Sequence, residues 1–250
     1  MDATVRSAFA LLVDRESIQK DIWGRQADAT GNFLNRPPFV SSSTRWEFNV
    51  EKANAMLDAA GWKRGADGIR AKGGARLKVL FQAVNQPIRQ KMQSVVKQAC
   101  AKAGIEVELK SVVSSVFFSS DVANPDTYTK FYADLQMYNV GPGAPDPQTF
   151  MSNFTSAEIC SKDNKWARRN TTRWRNEEYD RLWKAAESEM DPVKRAALFI
   201  RMNDMLTKNV VVIPIIWRNN VAGVSNRLKG NDLSGWDSYL WRLAYWYRVS

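Results

Sequence analysis

The residue types able to do chemistry are unevenly supplied in this chain. Its 250 residues include no histidine. That absence excludes Ser-His-Asp and Cys-His nucleophilic catalysis, imidazole proton shuttles and imidazole metal ligation together. Acid–base work would fall to carboxylate pairs such as Asp134 and Asp146. Such pairs serve histidine-free hydrolases when the fold sets their separation, and nothing in the sequence sets it here. The two cysteines, Cys100 and Cys160, lie far apart without metal-type spacing. They read as free or buried thiols, or as one disulfide in an oxidising compartment.

Charge marks a second candidate. The net charge is +10. Between 161 and 175 stand Lys162, Lys165, Arg168, Arg169, Arg173 and Arg175 against Asp163 alone, with Trp166 and Trp174 interleaved. A basic stretch with stacking aromatics suits a single-stranded nucleic acid or polyanion. The same stretch also reads as a solvated loop whose tryptophans pack inward, and no nucleic-acid fold motif accompanies it.

A third candidate is the run Gly141-Pro142-Gly143-Ala144-Pro145-Asp146-Pro147, which follows a short strand at 133–138. Open α/β sheets bind ligands beyond the carboxyl ends of their strands. Glycine admits a ligand close to backbone, and proline stiffens the loop. The segment 138–150 is therefore the ligand-facing candidate, with Tyr138, Asn139, Gly141, Gly143 and Asp146 as its contacts. A turn entering a short helix explains the same residues.

The elements that must position these groups alternate. A first helix is read over 4–13, with Val5, Ala8, Phe9 and Leu12 on one face and Thr4 as cap. A second short helix follows Asp14. Residues 24–48 hold Pro37-Pro38 and three serines, and read as an irregular excursion. Asn49 caps a helix whose apolar stripe is Val50, Ala53, Met56, Leu57 and Ala60, and Gly61 ends it. A strand at 77–81, a helix through Met92 and Val96 to Gly104, and an alternating strand at 105–109 form a βαβ unit. Its strands should be parallel and its crossover right-handed. Asn176 and Asp191-Pro192 start two late helices. Strands are read at 211–217 and 221–224, and 236–247 is crowded with aromatics. The fold class is α/β, a mixed sheet flanked by helices. No apolar run approaches membrane-spanning length, and the amino terminus lacks a recognisable signal peptide.

Several phrases together resemble one family. They are Asn49-Val50-Glu51-Lys52-Ala53-Asn54-Ala55-Met56-Leu57-Asp58-Ala59-Ala60-Gly61-Trp62, Val5 to Glu16, Ala103-Gly104-Ile105-Glu106-Val107, Arg175 to Asp180 with Asp191 to Arg195, and Val212-Ile213-Pro214-Ile215-Ile216. In this order they resemble the bacterial extracellular solute-binding proteins of family 5, receptors of oligopeptide and dipeptide ABC importers. The resemblance implies a periplasmic-binding-protein-like (type II) fold. It implies the carboxy-terminal lobe only: residues 1–210 as the second lobe, and 211–250 as a return segment that packs on the first. It implies a peptide or opine-like small solute as ligand, a membrane permease as partner, an extracytoplasmic location, no cofactor and no catalysis. Asp146-Pro147-Gln148-Thr149-Phe150 resembles the family's Asp-Pro-x-x-Phe step. Gly143 stands where peptide-binding members carry the aspartate that pairs with the ligand's amine, which puts free-amine recognition in doubt. A basic residue near the first βαβ turn meets a ligand carboxylate in such members, and Arg89, with Asn85 and Gln86 nearby, lies there.

Overall fold

The computed structural model describes residues 2–141, 143–234 and 240–250. Its centre is a three-stranded parallel sheet. Lys78–Val84 lies in the middle, with Glu106–Val112 on one side and Leu135–Met137 on the other. Lys78 pairs with Glu106 through to Val84 with Val112, and Phe81 pairs with Leu135. Val79, Phe81, Ala83 and Val84 are all buried, as a strand covered on both faces requires.

The crossover helix is Pro87–Lys102, with proline in its first turn. Met92, Gln93, Val96, Ala99 and Cys100 are buried on one face of it. It ends where Ile105 N–H donates to the Cys100 carbonyl at 2.9 Å across Gly104. Gly104 has φ +75°, and a Cβ there would stand 2.9 Å from the Gly68 carbonyl oxygen. Only glycine fits both the left-handed backbone and the close approach.

The main core joins the sheet to helices Ala3–Ala10 and Val50–Ala59 through Phe9, Leu12, Leu57, Phe81 and Val96. Asn49 caps the second helix by accepting from Lys52 N–H at 2.8 Å. Gly61 ends it with φ +84°. A separate core forms between the helices Glu177–Ser188 and Pro192–Lys208, filled by Tyr179, Leu182, Phe199, Met202 and Leu206. Asn176 and Asp191 cap them as read, Asn176 accepting from Tyr179 N–H at 2.9 Å and Asp191 from Val193 N–H at 2.9 Å.

Buried polar groups tie these parts together. Arg70, on the small antiparallel meander Lys63–Arg64, Arg70–Lys72 and Ala75–Arg76, is 1% exposed. It donates to the carbonyls of Ala103 and Trp62, to Asn54 Oδ1 and to Asp58. Asn203 Oδ1 accepts from Phe33 N–H at 2.8 Å and Leu34 N–H at 3.0 Å, which anchors the irregular 30–44 stretch.

Four local readings are corrected. The first helix is capped by Asp2, whose carboxylate accepts from Thr4 and Val5 N–H, so Thr4 is already helical; the helix ends at Ala10, short of 13. Residues 24–48 include the strand Ala27–Ala29. Only Ile216–Arg218 of the 211–217 run is a strand, paired antiparallel with Ala27–Ala29. Upstream of it the Pro214 carbonyl takes Arg15 Nε–H at 2.8 Å and the Ile215 carbonyl takes Thr30 N–H at 3.1 Å, so those groups are satisfied without a ladder. No strand forms at 221–224, where Val221 and Val224 are exposed; instead Leu228–Lys229 pairs with Tyr247–Arg248. Of the aromatic 236–247 stretch, 236–239 lies outside the described residues.

Candidate functional site

A cleft of about 760 Å³ opens beyond the carboxyl end of the edge strand Leu135–Met137. The crossover helix contributes Arg89, Met92 and Val96 to one wall. The chain leaving the edge strand contributes Tyr138, Asn139 and Val140. Phe33, Phe154 and Trp174 come from the second core, and residues 210–217 close the side. Two distinct hydrophobic cores thus meet at one concave, mostly apolar surface.

The predicted contacts divide. Tyr138, Asn139 and Arg89 line the cleft. Tyr138 is half-buried against Phe117 and Tyr128, with ring centres 6.0 and 5.6 Å away. Burial pushes its phenol up, against a hydrogen bond with Thr171. Gly141, Gly143, Asp146 and Asn85 are exposed and stand outside the lining. Gly141 and Gly143 have open space where a Cβ would go, so neither position requires glycine. Asp146 accepts from Gln148 N–H at 2.8 Å and pairs with Arg195 at 2.9 Å, starting the short helix Gln148–Met151. Asn85 accepts from the Gln90 side chain at 2.9 Å, at the exposed end of the central strand.

The carboxylate pair Asp134 and Asp146 does not converge on the cleft. Asp134 lines it, and its Oδ2 accepts from Leu80 N–H at 2.8 Å. In the basic segment 161–175 both tryptophans are half-buried. Trp166 meets Tyr132 edge-on at 5.7 Å and lies under Arg173 at 5.3 Å, while Trp174 packs on Tyr179 at 5.3 Å. Each ring thus already has a partner, and Trp174 turns its remaining face to the cleft and not to an outer basic surface. Cys100 and Cys160 are both free and buried. Among the described residues no cluster of Cys, Asp and Glu could hold a metal ion, and no helix is long and apolar enough to cross a membrane.

Arg89 is the unusual member of the lining. It is 7% exposed, its guanidinium lies 6.0 Å from the Trp23 ring centre, and no acceptor or carboxylate among the described residues meets it. Burial, and then repulsion from Arg218, lower its pKa. Sequence reasoning missed Phe33, Phe154, Trp174 and the 210–217 wall. These residues reach the cleft through tertiary packing of distant segments, which no local spacing announces.

The sequence pattern of the bacterial extracellular solute-binding proteins, family 5 (middle region) matches residues 1–160. The chain belongs to this family. Curated relatives in or near it include the dipeptide-binding protein DppE of Bacillus subtilis, 24% identical over 90% of this chain and 39% of that protein. Protein XP55 of Streptomyces lividans is 30% identical over 46% of this chain and 22% of its own length. The family-5 chain therefore spans about two fifths or less of the length of these relatives. Among solved structures, the oligopeptide-binding protein of Thermus thermophilus complexed with a pentapeptide superposes with TM-score 0.76 at 22% identity, covering 87% of this chain and 38% of that one. NikZ of Campylobacter jejuni in complex with Ni(L-His) gives TM-score 0.81 at 21% identity, covering 98% and 48%. The family-5 chain has the α/β fold of type II periplasmic binding proteins.

Proposed function

We propose that this chain is the carboxy-terminal lobe of the substrate-binding component of an ABC importer, a receptor and not an enzyme. In this reading residues 1–210 are the lobe and 211–250 the return segment that packs on the first lobe. It captures a peptide or related small solute outside the cytoplasm and delivers it to a membrane permease. The observation that carries the reading is the cleft of about 760 Å³ at the carboxyl end of the edge strand, in a chain of this family. Sites of this size with apolar walls and few polar groups are built to enclose small ligands. Tyr138, Asn139 and Arg89 are the ligand contacts from this lobe. The exposed apolar residues Leu233, Leu240, Leu243 and Tyr245 support covering of the return segment by another lobe.

The test is thermal unfolding of the intact protein against a peptide and small-solute panel. A true ligand at a hundred times its Kd should add about 2.7 kcal/mol of stability. A panel that leaves the melting temperature unmoved throughout would remove the receptor reading.

A further inference from the structure

The basic, tryptophan-bearing stretch folds into a closed loop over 161–169. Its base is pinched where Cys160 N–H donates to the Asn170 carbonyl at 3.1 Å and Asn170 N–H to the Glu158 carbonyl at 2.7 Å. Within it, Trp166 N–H donates to the Ser161 carbonyl at 2.9 Å, and the Cys160 thiol to the Arg168 carbonyl at 2.8 Å. At its tip Lys165 and Trp166 are both left-handed, with φ of +51° and +60°. Two such residues in succession, neither of them glycine, are held against their own preference by the bonds around them. Backbone of this kind gathers at ligand clamps.

The loop borders a second hollow of about 300 Å³, with residues 118–122 and 127–129 on the other side. Phe118, Tyr128 and Arg169 line this hollow and the main cleft alike, so the two adjoin. One side offers apolar surface: Phe118 is 50% exposed, and the Tyr128 ring centre stands 5.7 Å from its own. The other side offers charge, with Lys165, Arg168 and Arg169 in the lining against Asp121. Arg168 is paired with Glu158 at 3.3 Å, and Asp121 accepts Ala123 N–H at 2.8 Å. Arg169 has a long contact of 3.5 Å with Ser152 Oγ, and Lys165 meets no acceptor among the described residues. Exposed cations are ordinary on a protein surface. These two stand on a clamped loop, opposite an exposed ring, in a hollow that adjoins a ligand-sized cleft.

We propose that this hollow is a side-chain subsite of the cleft, and that it selects peptides carrying an acidic side chain. The stem of that side chain lies on Phe118 and Tyr128, and its carboxylate takes charge-assisted hydrogen bonds from Lys165 and Arg169. The hollow is at the low end of the size range for ligand sites, which suits one side chain and not a whole peptide. Arg169 stands where the two hollows adjoin, so it meets the side chain as it enters. The inference rests on the receptor reading and narrows its solute.

The test is calorimetric titration of the intact protein with Ala-Phe-Ala-Ala peptides in which glutamate, or its uncharged isostere glutamine, replaces each residue in turn. At one position or more the glutamate peptide should bind about tenfold tighter than its glutamine twin, and the ratio should shrink as salt rises. Lys165→Gln and Arg169→Gln should each cut that ratio about threefold, and the double variant should remove it. Lys162→Gln takes a charge from the same loop outside the hollow and should leave the ratio as it was. All three side chains are exposed, so folding is not at stake. Equal binding of the twins at every position overturns the inference and leaves the receptor reading intact. So does a ratio that survives the double variant, or one that Lys162→Gln lowers as much as Lys165→Gln does. Thermal stabilisation by other solutes, with no peptide of either series bound, has the same meaning. No binding by either series and no shift from any solute removes both.

Discussion

Arg195 grips both carboxylate oxygens of Asp146, with Nη2 at 2.9 Å from Oδ2 and 3.1 Å from Oδ1, and Nε at 3.2 Å from Oδ2. The acid at the end of the Gly/Pro run therefore ties that run to the helix Pro192–Lys208 and does not face the cleft. Asp146 is 54% exposed, which limits what the pair contributes. Asp146→Ala should lower stability by about 1 kcal/mol or less. Ligand affinity should change by less than about twofold. Urea unfolding and titration check both, and a large affinity loss would return Asp146 to the binding surface.

Arg70 joins three pieces of chain from a fully buried position. Its removal strands the Ala103 and Trp62 carbonyls and opens a cavity between the meander and the crossover helix. Arg70→Leu should cost at least about 3 kcal/mol. A shift in denaturation midpoint corresponding to less than about 1 kcal/mol would mean that water replaces the guanidinium.

Asn203 is 0% exposed and holds two backbone N–H groups of the 30–44 stretch. Asn203→Ala leaves the buried Leu34 donor and the part-buried Phe33 donor without this partner, at a cost of about 2 kcal/mol. Phe33 is one of the two and also lines the cleft. Amide exchange at Phe33 and Leu34 should quicken, and ligand affinity should fall with it. Unchanged exchange would show that the segment is held by its other contacts.

Acid should loosen the same region. Burial raises the pKa of Asp204, but hydrogen bonds with Ser41, Ser43 and Thr44, and the charge of Lys208, outweigh it and leave the pKa below its ordinary value. A depressed carboxyl contributes stability that is present above its unfolded pKa and lost as pH falls through the folded one. Melting temperature should therefore drop as pH falls below about 4. Asp204→Asn should flatten that acid limb while lowering stability at neutral pH. An acid limb identical to the parent's would assign the loss to other carboxyls.

Both thiols should be silent in the folded chain. Cys100 lies in the main core and Cys160 is 0% exposed, and burial pushes each thiol up. Thiolate, the reactive form, is scarce at neutral pH. Alkylation under native conditions should be slow at both positions and become complete at both after denaturation without reductant. Failure to label after denaturation would reveal a disulfide.

Much of the scaffold was legible in residue order. The caps Asn49, Asn176 and Asp191 and the stops at Gly61 and Gly104 follow from patterns within a dozen or so neighbouring residues, while the parallel βαβ unit and the family follow from the order of such patterns along the chain. Such signals are local: a cap accepts a hydrogen bond two or three residues away, and helical or strand period is read within a short window. The first helix shows the limit of local resolution, because Asp2 and Thr4 are both competent caps and only one can precede the first turn.

The site depended on packing between distant segments. Arg89 was identifiable as a basic residue at a helix start, but its burial is not a property of its neighbours in sequence; Trp23 and Arg218 meet it from far along the chain. The run 211–217 has the apolar, β-branched composition of a strand, yet only its end pairs with Ala27–Ala29, while the Pro214 and Ile215 carbonyls accept from Arg15 and Thr30. Gly141, Gly143 and Asp146 look like binding residues in a loop after a strand, and the fold turns them outward. Composition determines which chemistry a chain can hold, as the absence of histidine does here. Which side chains share one enclosed volume is decided by long-range contact, since burial and charge pairing are relations between residues that the chain brings together only on folding.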